Sequence, residues 1–378
     1  MAQENARREH RIPDDWTRPI VDQAAFAEEQ RRLASVWTFL GMTSDVEKHG
    51  DWFRASIATR SVFVQRFDTE LRGFENVCAH RFMPLRNADR GNGPIVCGFH
   101  NWAYDGRGCA VGIPRCRELY NALPQELGAR LAPIELATCG RMIFGRFPHP
   151  RATESLEDFL ASGFAVLAAG SQAHGRPYHL RVPLAANWRL GAQISLDDYH
   201  SPAVHPRTFG RHGYIRRQDI SYHRFGLHSA YVYASRHDGV EQIARACRDG
   251  TYYPSHYTIL QFVPNVLMAF FRTDFDHYHC AVLLYEPVRH DRTIVHAWAY
   301  PAPIPGRRSW ASALSDPVRS FIVQRYVAMV LREDNLVCER IQGIAHQIGR
   351  APMLGGLEER IGWFEQSYRE LLATREEA

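Results

Sequence analysis

Two short stretches of the chain each place a histidine close behind a cysteine, as Cys78-x-His80 and Cys97-x2-His100. Two thiolates on one iron and two imidazoles on the other can hold a cluster of two irons and two sulfides. That ligand set removes half of the negative ligand charge and raises the reduction potential. Alternation suits it, because each of two loops then gives one cysteine to the inner iron and one histidine to the outer iron. Structural zinc is the competing reading. Zinc fingers pair cysteine with cysteine and histidine with histidine at C-x2–4-C and H-x3–5-H spacing, whereas both pairs here mix the types.

A second set of ligand types lies in NWRLGAQISLDDYHSPAVHP. Asp197 stands three residues before His200, which on a helix puts both side chains on one face. His205 follows five residues after His200, a rotation of about 140° on a continuous helix, so the helix must end between them. Pro202 and Pro206 supply the break. Two histidines and one carboxylate on one face of Fe(II), with the opposite positions open, form the ligand set of oxygen-activating non-haem iron enzymes. The carboxylate must come from elsewhere in the chain, and LREDNLVCERIQ offers Glu333, Asp334 and Glu339 on a helical stretch.

The elements that must carry these residues follow from periodicity. VDQAAFAEEQRRLASVWTFLG has apolar residues at helical spacing (Ala25, Phe26, Leu33, Val36, Trp37) and predicts a helix that stops at Gly41. WFRASIAT, SVFVQRF, LRGFENVC and GRMIFGRF read as short strands separated by turns, which predicts a small antiparallel β domain with the Cys/His pairs on its loops. A connection over residues 147 to 178 contains one helix, SLEDFLASG, with Ser155, Glu157 and Asp158 at its N-terminus. Beyond it LAANWRLGAQISLDDYHS reads as helix, and YHRFGLHSAYVYAS, HYTILQFVPNVLMAFFR, HYHCAVLLYEPV and TIVHAWAYP as antiparallel strands. Helix returns from about Ser309 to Gly343, and GLEERIGWFEQSYRELLATREE forms a last amphipathic helix. The fold class is therefore α+β. A helical lead (residues 1–37) packs on the larger domain, a small antiparallel β domain covers 38–150, and helices on an antiparallel sheet make up 151–378. Phe262, Phe270, Phe271 and Tyr233 read as ordinary core, with the lining of a substrate cavity as the alternative.

Composition narrows the function. Of 378 residues 45% are hydrophobic and 23% charged, as in ordinary globular proteins. No apolar run approaches the roughly 18 residues that span a bilayer, and the polar start MAQENARREHRIPDD lacks a signal-peptide core, so a cytoplasmic protein with no membrane association is expected. The +4 balance is dispersed along the chain, which argues against a nucleic-acid partner. Eight cysteines without a compact cysteine-dense scaffold argue against a disulfide framework. No Gly-x-Gly-x-x-Gly fingerprint opens a βαβ unit, so flavin and NAD are expected on a separate partner.

Cys78-Ala79-His80, sixteen intervening residues and Cys97-Gly98-Phe99-His100-Asn101-Trp102-Ala103-Tyr104, followed by Gly106 and Gly108, resemble the Rieske [2Fe–2S] motif of ring-hydroxylating Rieske non-haem iron oxygenases. Asn187-Trp188, Asp197, Tyr199-His200, His205 and Asp334-Asn335 with Glu339 resemble the second-domain signature of that family. Two positions depart from it: Asn101 stands where glycine is common, and Gln193-Ile194 stands where many members have Glu-Asn. The resemblance implies that Cys78 and Cys97 bind one iron of a Rieske cluster and His80 and His100 the other. It further implies that His200, His205 and Asp334 hold a mononuclear Fe(II). It leaves Glu333 and Asp198 as carboxylates expected to be solvated helix charges.

Asp197 would then bridge His200 to His100 of the next subunit in a head-to-tail homotrimer, with or without a β subunit, orienting both rings through their N–H groups. The implied activity is that of a terminal oxygenase component, hydroxylating an aromatic or other small organic substrate as a monooxygenase or dioxygenase. O2 is the co-substrate, and electrons come from NAD(P)H through a separate reductase, with or without a ferredoxin. The alternative is a Rieske electron-transfer or redox-sensing protein without oxygenase chemistry.

Overall fold

The computed structural model describes residues 12–171, 177–208, 216–233, 239–249, 251–252, 257–272, 277–303 and 310–375. It divides into two compact units: Leu33–Thr153, and Met1–Arg32 together with Glu154–Ala378. The opening helix, α1, runs over Gln23–Leu33 and stops eight residues short of Gly41. Residues Thr38–Met42 instead form strand β1, all five of them buried. A segment covered on every side suits a sheet interior better than a one-sided helix, and its backbone pairs with Met142–Arg146, with Thr38 opposite Gly145 and Met42 opposite Met142.

The smaller unit adds β2 (Asp51–Ile57), β3 (Arg60–Phe67), β4 (Glu70–Glu75), β5 (Arg90–Asn92), β6 (Ile95–Val96), β7 (Ala103–Tyr104), β8 (Ala110–Gly112), β9 (Pro133–Cys139) and β10 (Met142–Arg146). They form an antiparallel sheet of order β1-β10-β9-β4-β3-β2-β5 and a three-stranded ribbon β6-β7-β8. Two-residue turns close the hairpins, with Ala58 and Asp68 in the left-handed region at φ 53° and 50°. Gly108 has φ +77°, and a Cβ there would stand 2.6 Å from the Phe74 ring, so only glycine fits. One helix, α2 (Cys116–Tyr120), follows the ribbon. The core between ribbon and sheet contains Phe63, Phe74, Leu85, Ile95, Trp102, Tyr104 and the thiols of Cys78 and Cys97.

In the larger unit, α3 (Leu156–Leu160) is capped by Ser155, whose side chain accepts from the Asp158 N–H, and α4 (Gly163–Gly170) follows. The sheet comprises β11 (Tyr178–Leu184), β12 (Ile220–Phe225), β13 (His228–Tyr233), β14 (Tyr257–Phe262), β15 (Val266–Arg272), β16 (His277–Arg289) and β17 (Arg292–Pro303), in order β11-β17-β16-β15-β14-β13-β12. Every pairing is antiparallel, as the sequence predicts. Strand alternation sends Phe270 against Gly170 of α4 on one face and Tyr285 to the other. Phe262 and Phe270 are core.

Helix α5 (Trp188–Ile194) packs Gly191 against Tyr285, whose hydroxyl meets Ser195 Oγ at 2.6 Å. A single helix through Ser201 does not form: α5 ends at Ile194, and a separate turn, α6, covers Ser201–Val204. Helix α7 covers Val240–Arg248, α8 Trp310–Ile344 and α9 Glu359–Thr374. Three side chains of α8 fasten it to the end of β11 and the segment that leads into α5. Asn335 Nδ2 donates to the Pro183 carbonyl (3.1 Å), Glu339 Oε1 accepts from the Ala185 N–H (3.1 Å), and Gln342 Oε1 accepts from the Asn187 N–H (2.9 Å). Glu339 is thereby occupied away from any ligand position.

A buried ionic clamp ties α5 to α9. Arg189 Nη2 donates to both Glu365 oxygens at 2.6 Å, and Gln193 Nε2 donates to Glu365 Oε1. Gln193, the departure from the common Glu-Asn, therefore serves helix packing. A second glutamate at its place would face Glu365 in the buried interior. Truncating Glu365 leaves the buried Arg189 only Glu29, 3.9 Å away, as a counter-charge, so Glu365→Ala should lower unfolding stability by about 3–5 kcal/mol. Gln193→Ala, removing one hydrogen bond of several, should cost about 1–3 kcal/mol. Urea denaturation followed by circular dichroism measures both.

Candidate functional site: two clusters of metal-ligating side chains

In the smaller unit the Cys/His loops are tight turns. Cys78 N–H donates to the Met83 carbonyl (2.9 Å) and Phe82 N–H to the Cys78 carbonyl (3.0 Å). Cys97 N–H donates to the Trp102 carbonyl (2.9 Å) and Asn101 N–H to the Cys97 carbonyl (3.0 Å). Asn101 closes its turn with φ 55°, a conformation asparagine tolerates better than most residues, which explains how it stands where glycine is common. The thiols are buried, each 1% exposed. The His80 and His100 rings lie 4.6 Å apart between centroids, at 68°.

Both Nδ1 atoms are buried with no hydrogen-bond partner, and an orphaned buried nitrogen calls for a ligand. Burial lowers the His80 pKa, helped by the charges of His100 and Arg81, which favours the neutral imidazole that binds metal. Burial pushes the Cys97 thiol up, against the backbone N–H groups of Phe99 and His100 that point at the sulfur. Those N–H donors and the Tyr104 hydroxyl, 3.0 Å from Cys78 Sγ, are placed to stabilise thiolate charge. The donor set and its orphaned atoms fit a [2Fe–2S] group.

In the larger unit His200, His205 and Asp334 bring one ligand atom each to within 4.8 Å of one another. His200 Nε2 and His205 Nε2 are 3.1 Å apart, and Asp334 Oδ1 lies 3.4 Å and 3.0 Å from them. His200 precedes α6 and His205 ends it, so the one-turn helix with Pro202 at its start aims both rings at α8. The other ring nitrogens meet carboxylates. His205 Nδ1 lies 2.8 Å from Glu333 Oε2, which also accepts from the Thr208 hydroxyl at 3.0 Å. Asp197 Oδ1 accepts the N–H groups of Tyr199 (2.7 Å) and His200 (3.1 Å), while its Oδ2 stands 3.6 Å from His200 Nδ1, an ionic contact rather than a hydrogen bond. Proximity of Asp197 to His200 thus comes from a side-chain-closed turn, since neither residue lies within a helix.

The charge balance asks for a cation. Burial would lower the His200 pKa, but Asp197 and Asp334 outweigh it and raise the group to about 10. Burial would raise Asp334, but His200 and His205 hold it below the usual carboxylate range. A proton is drawn into the gap between two imidazoles and a carboxylate, the place a divalent metal would take, and two nitrogens with one oxygen suit Fe(II).

Glu333 and Asp198 are not solvated helix charges. Glu333 orients His205, and Asp198, 7% exposed, accepts from the Tyr222 hydroxyl at 2.7 Å, with its carboxyl pushed up to about 6 by burial. Adjacency to Asp334 on one helical turn was the only sequence signal for Glu333. Among the described residues no helix is long and apolar enough to cross a membrane.

A paired-loop Cys/His site in one unit and a two-histidine, one-carboxylate site in the other define the class of Rieske non-haem iron proteins. Residues 36–125 match the Rieske [2Fe-2S] domain, and residues 171–374, just over half of the chain, match the ring hydroxylating alpha subunit (catalytic domain). The chain belongs to the ring-hydroxylating alpha subunit family. The large oxygenase component of salicylate 5-hydroxylase from Ralstonia sp is 29% identical over 205 residues, covering 49% of this chain and 48% of that protein. The carnitine monooxygenase oxygenase subunit of Escherichia coli (strain K12) is 30% identical over 202 residues, covering 50% and 52%. The chain thus spans about half the length of the curated relatives it matches. Among solved structures, naphthalene 1,2-dioxygenase from Rhodococcus sp. bound to indole shares the fold at TM-score 0.72 and 20% identity, covering 96% of this chain and 94% of that one. A quaternary ammonium Rieske monooxygenase in complex with gamma-butyrobetaine shares it at TM-score 0.71 and 14% identity, covering 96% and 95%.

If both sites load, the wild-type chain carries about three irons, two in the cluster and one alone. Asp334→Ala should reduce this to about two and keep the visible spectrum of the cluster. Glu333→Gln should retain the single iron with roughly 10–100-fold weaker affinity. Iron analysis of dialysed protein, read beside its absorption spectrum, measures both effects.

Proposed function

We propose that the protein is a terminal oxygenase component that hydroxylates an aromatic or other small organic substrate with O2. The observation that carries this reading is the convergence of His200 Nε2, His205 Nε2 and Asp334 Oδ1 in a chain that also bears the paired Cys/His loops. When bound, the cluster and the ferrous ion supply one electron each, which together allow two-electron reduction of dioxygen. Cys78 and Cys97 would hold one iron of the cluster, His80 and His100 the other, and His200, His205 and Asp334 the single iron.

The remaining residues position these ligands. The Glu333 carboxylate accepts the Nδ1 proton of His205 and so presents Nε2 to the metal. With three protein ligands, a bound iron would keep further coordination positions for O2. Asp197, 20% exposed at its side chain, has one oxygen committed to the turn and the other facing His200. It is the residue that bridges His200 to His100 of a neighbouring copy in a homotrimer. Electrons come from NAD(P)H through a separate reductase, with or without a ferredoxin. The protein works in the cytoplasm, with or without a β subunit.

A Rieske electron carrier without oxygenase chemistry would need no single-iron site. Two observations support the oxygenase reading over it: Gln193 is accounted for by the Glu365 clamp, and His200, His205 and Asp334 bring together three atoms that could hold a metal ion.

The reading is tested by incubating purified, iron-loaded protein with a surrogate reductase, NADH and a panel of aromatic acids, heteroaromatics and methylated amines, with products followed by mass spectrometry under 18O2. Incorporation of labelled oxygen supports it, and its absence across the panel rejects it. Asp197→Asn should keep about three irons and the cluster spectrum yet lose product formation by roughly 100-fold or more.

A further inference from the structure

The outer nitrogen of His80 is engaged within its own unit. Tyr120 is the last residue of α2, and its hydroxyl lies 3.3 Å from His80 Nε2. That short helix is held in place from both ends. Left-handed residues flank it, Arg115 at φ 55° and Asn121 at φ 51°, and its first residue, Cys116, is buried in the same core as Cys78 and Cys97. Trp102 joins the two side chains. His80 lies flat on the indole, 4.7 Å between centroids and 2° between planes, and Tyr120 meets the indole edge-on at 6.1 Å and 84°. The imidazole plane is set by Trp102 and its outer edge by Tyr120.

The direction of the hydrogen bond follows from the tautomer. His80 Nδ1 is the buried, unpartnered nitrogen that faces the ligand position. A neutral imidazole bound through Nδ1 carries its proton on Nε2, so Nε2–H donates and the phenol oxygen accepts. His100 differs: its Nδ1 is likewise buried and unpartnered, but among the described residues no hydrogen bond reaches its outer nitrogen. The two histidines of the cluster site are therefore inequivalent.

We propose that Tyr120 is a positioning residue that lowers the reduction potential of the cluster by accepting a hydrogen bond from His80. This rests on the reading that Cys78, His80, Cys97 and His100 hold a [2Fe–2S] group. An acceptor on the far N–H makes the imidazole a stronger donor to iron and favours the oxidised cluster. The other face of the pair, His100, keeps its outer nitrogen for a partner.

The test is a spectroelectrochemical titration of the holoprotein beside Tyr120→Phe and Tyr120→Leu, with iron and sulfide content measured for each. Tyr120→Phe keeps the ring against Trp102 and removes only the oxygen. It should shift the one-electron reduction equilibrium three- to tenfold toward the reduced form, an upward shift of about 30–60 mV. Iron and sulfide content should not change. A potential that stays put in Tyr120→Phe, whether or not Tyr120→Leu moves it, assigns Tyr120 to packing and overturns the proposal. Absence of a mixed thiolate–imidazole cluster spectrum in the wild type overturns the cluster assignment and the proposal together. A normal spectrum with an unmoved potential overturns only the role of Tyr120.

Discussion

A carboxylate enclosed by protein cannot stay charged without a cation beside it, and Asp334 is such a carboxylate. Its residue is 9% exposed and its Oδ1 faces two imidazole nitrogens within 3.4 Å. Desolvation in that position costs several kcal/mol unless a positive charge compensates it. The proton drawn to His200 is one compensation, and a divalent metal is the better one, because it satisfies both nitrogens and the oxygen at once. Much of the larger unit can be read as the means of holding this pocket of unbalanced charge together. Helix α8 delivers Asp334, and its grip on residues 183–187 through Asn335, Glu339 and Gln342 fixes the height of the carboxylate relative to α5. The Arg189–Glu365 clamp anchors α5 in turn, so the turn that begins at Ser195 starts from a fixed point.

The smaller unit solves a different problem. A cluster held by two thiolates and two imidazoles needs a low-dielectric surrounding on the sulfur side and access on the imidazole side. Cys78 and Cys97 belong to the apolar core between sheet and ribbon, while Phe99, in the turn ahead of His100, is 52% exposed. Backbone N–H groups and the Tyr104 hydroxyl reach the sulfurs, where charge would otherwise be unsatisfied. Aromatic stacking on Trp102, and not a hydrogen-bonded network, fixes the plane of His80.

The candidate ligand residues were the most legible part of the sequence, because the chemistry restricts their types and because tight turns restrict their spacing. Cys78, His80, Cys97 and His100 sit in two turns whose closure needs only local hydrogen bonds. His200 and His205 fall at the two ends of a single proline-started turn. Strands of the second sheet were legible for a related reason, since short runs rich in β-branched and aromatic residues such as YTILQF have no competing helical period. What failed were the places where a local pattern matched one element and long-range pairing chose another. Val36 and Trp37 continue the helical spacing of α1, yet the strand pairing of Thr38–Met42 with β10 takes over. Residues 195–200 look helical in composition, yet Asp197 closes a turn with its own side chain. Glutamate is usually exposed, so the sequence alone points Glu333 to solvent. Only the docking of His205 against α8 reveals that its carboxylate has a partner.

Both sites share one principle of construction. In each, the histidines that would bind metal come from short turns, while the groups that fix their orientation come from elements held independently of those turns. His205 is aimed by Glu333 on α8, and His80 by Trp102 on the loop entering β7 and Tyr120 on α2. A turn alone sets where a ring starts but leaves it free to rotate about χ2. An orienting carboxylate, hydroxyl or indole removes that freedom before a metal arrives, so less ordering remains for the metal to impose. His100 and His200 are the histidines whose outer nitrogens are least constrained, one without a hydrogen bond among the described residues and the other facing Asp197 at 3.6 Å.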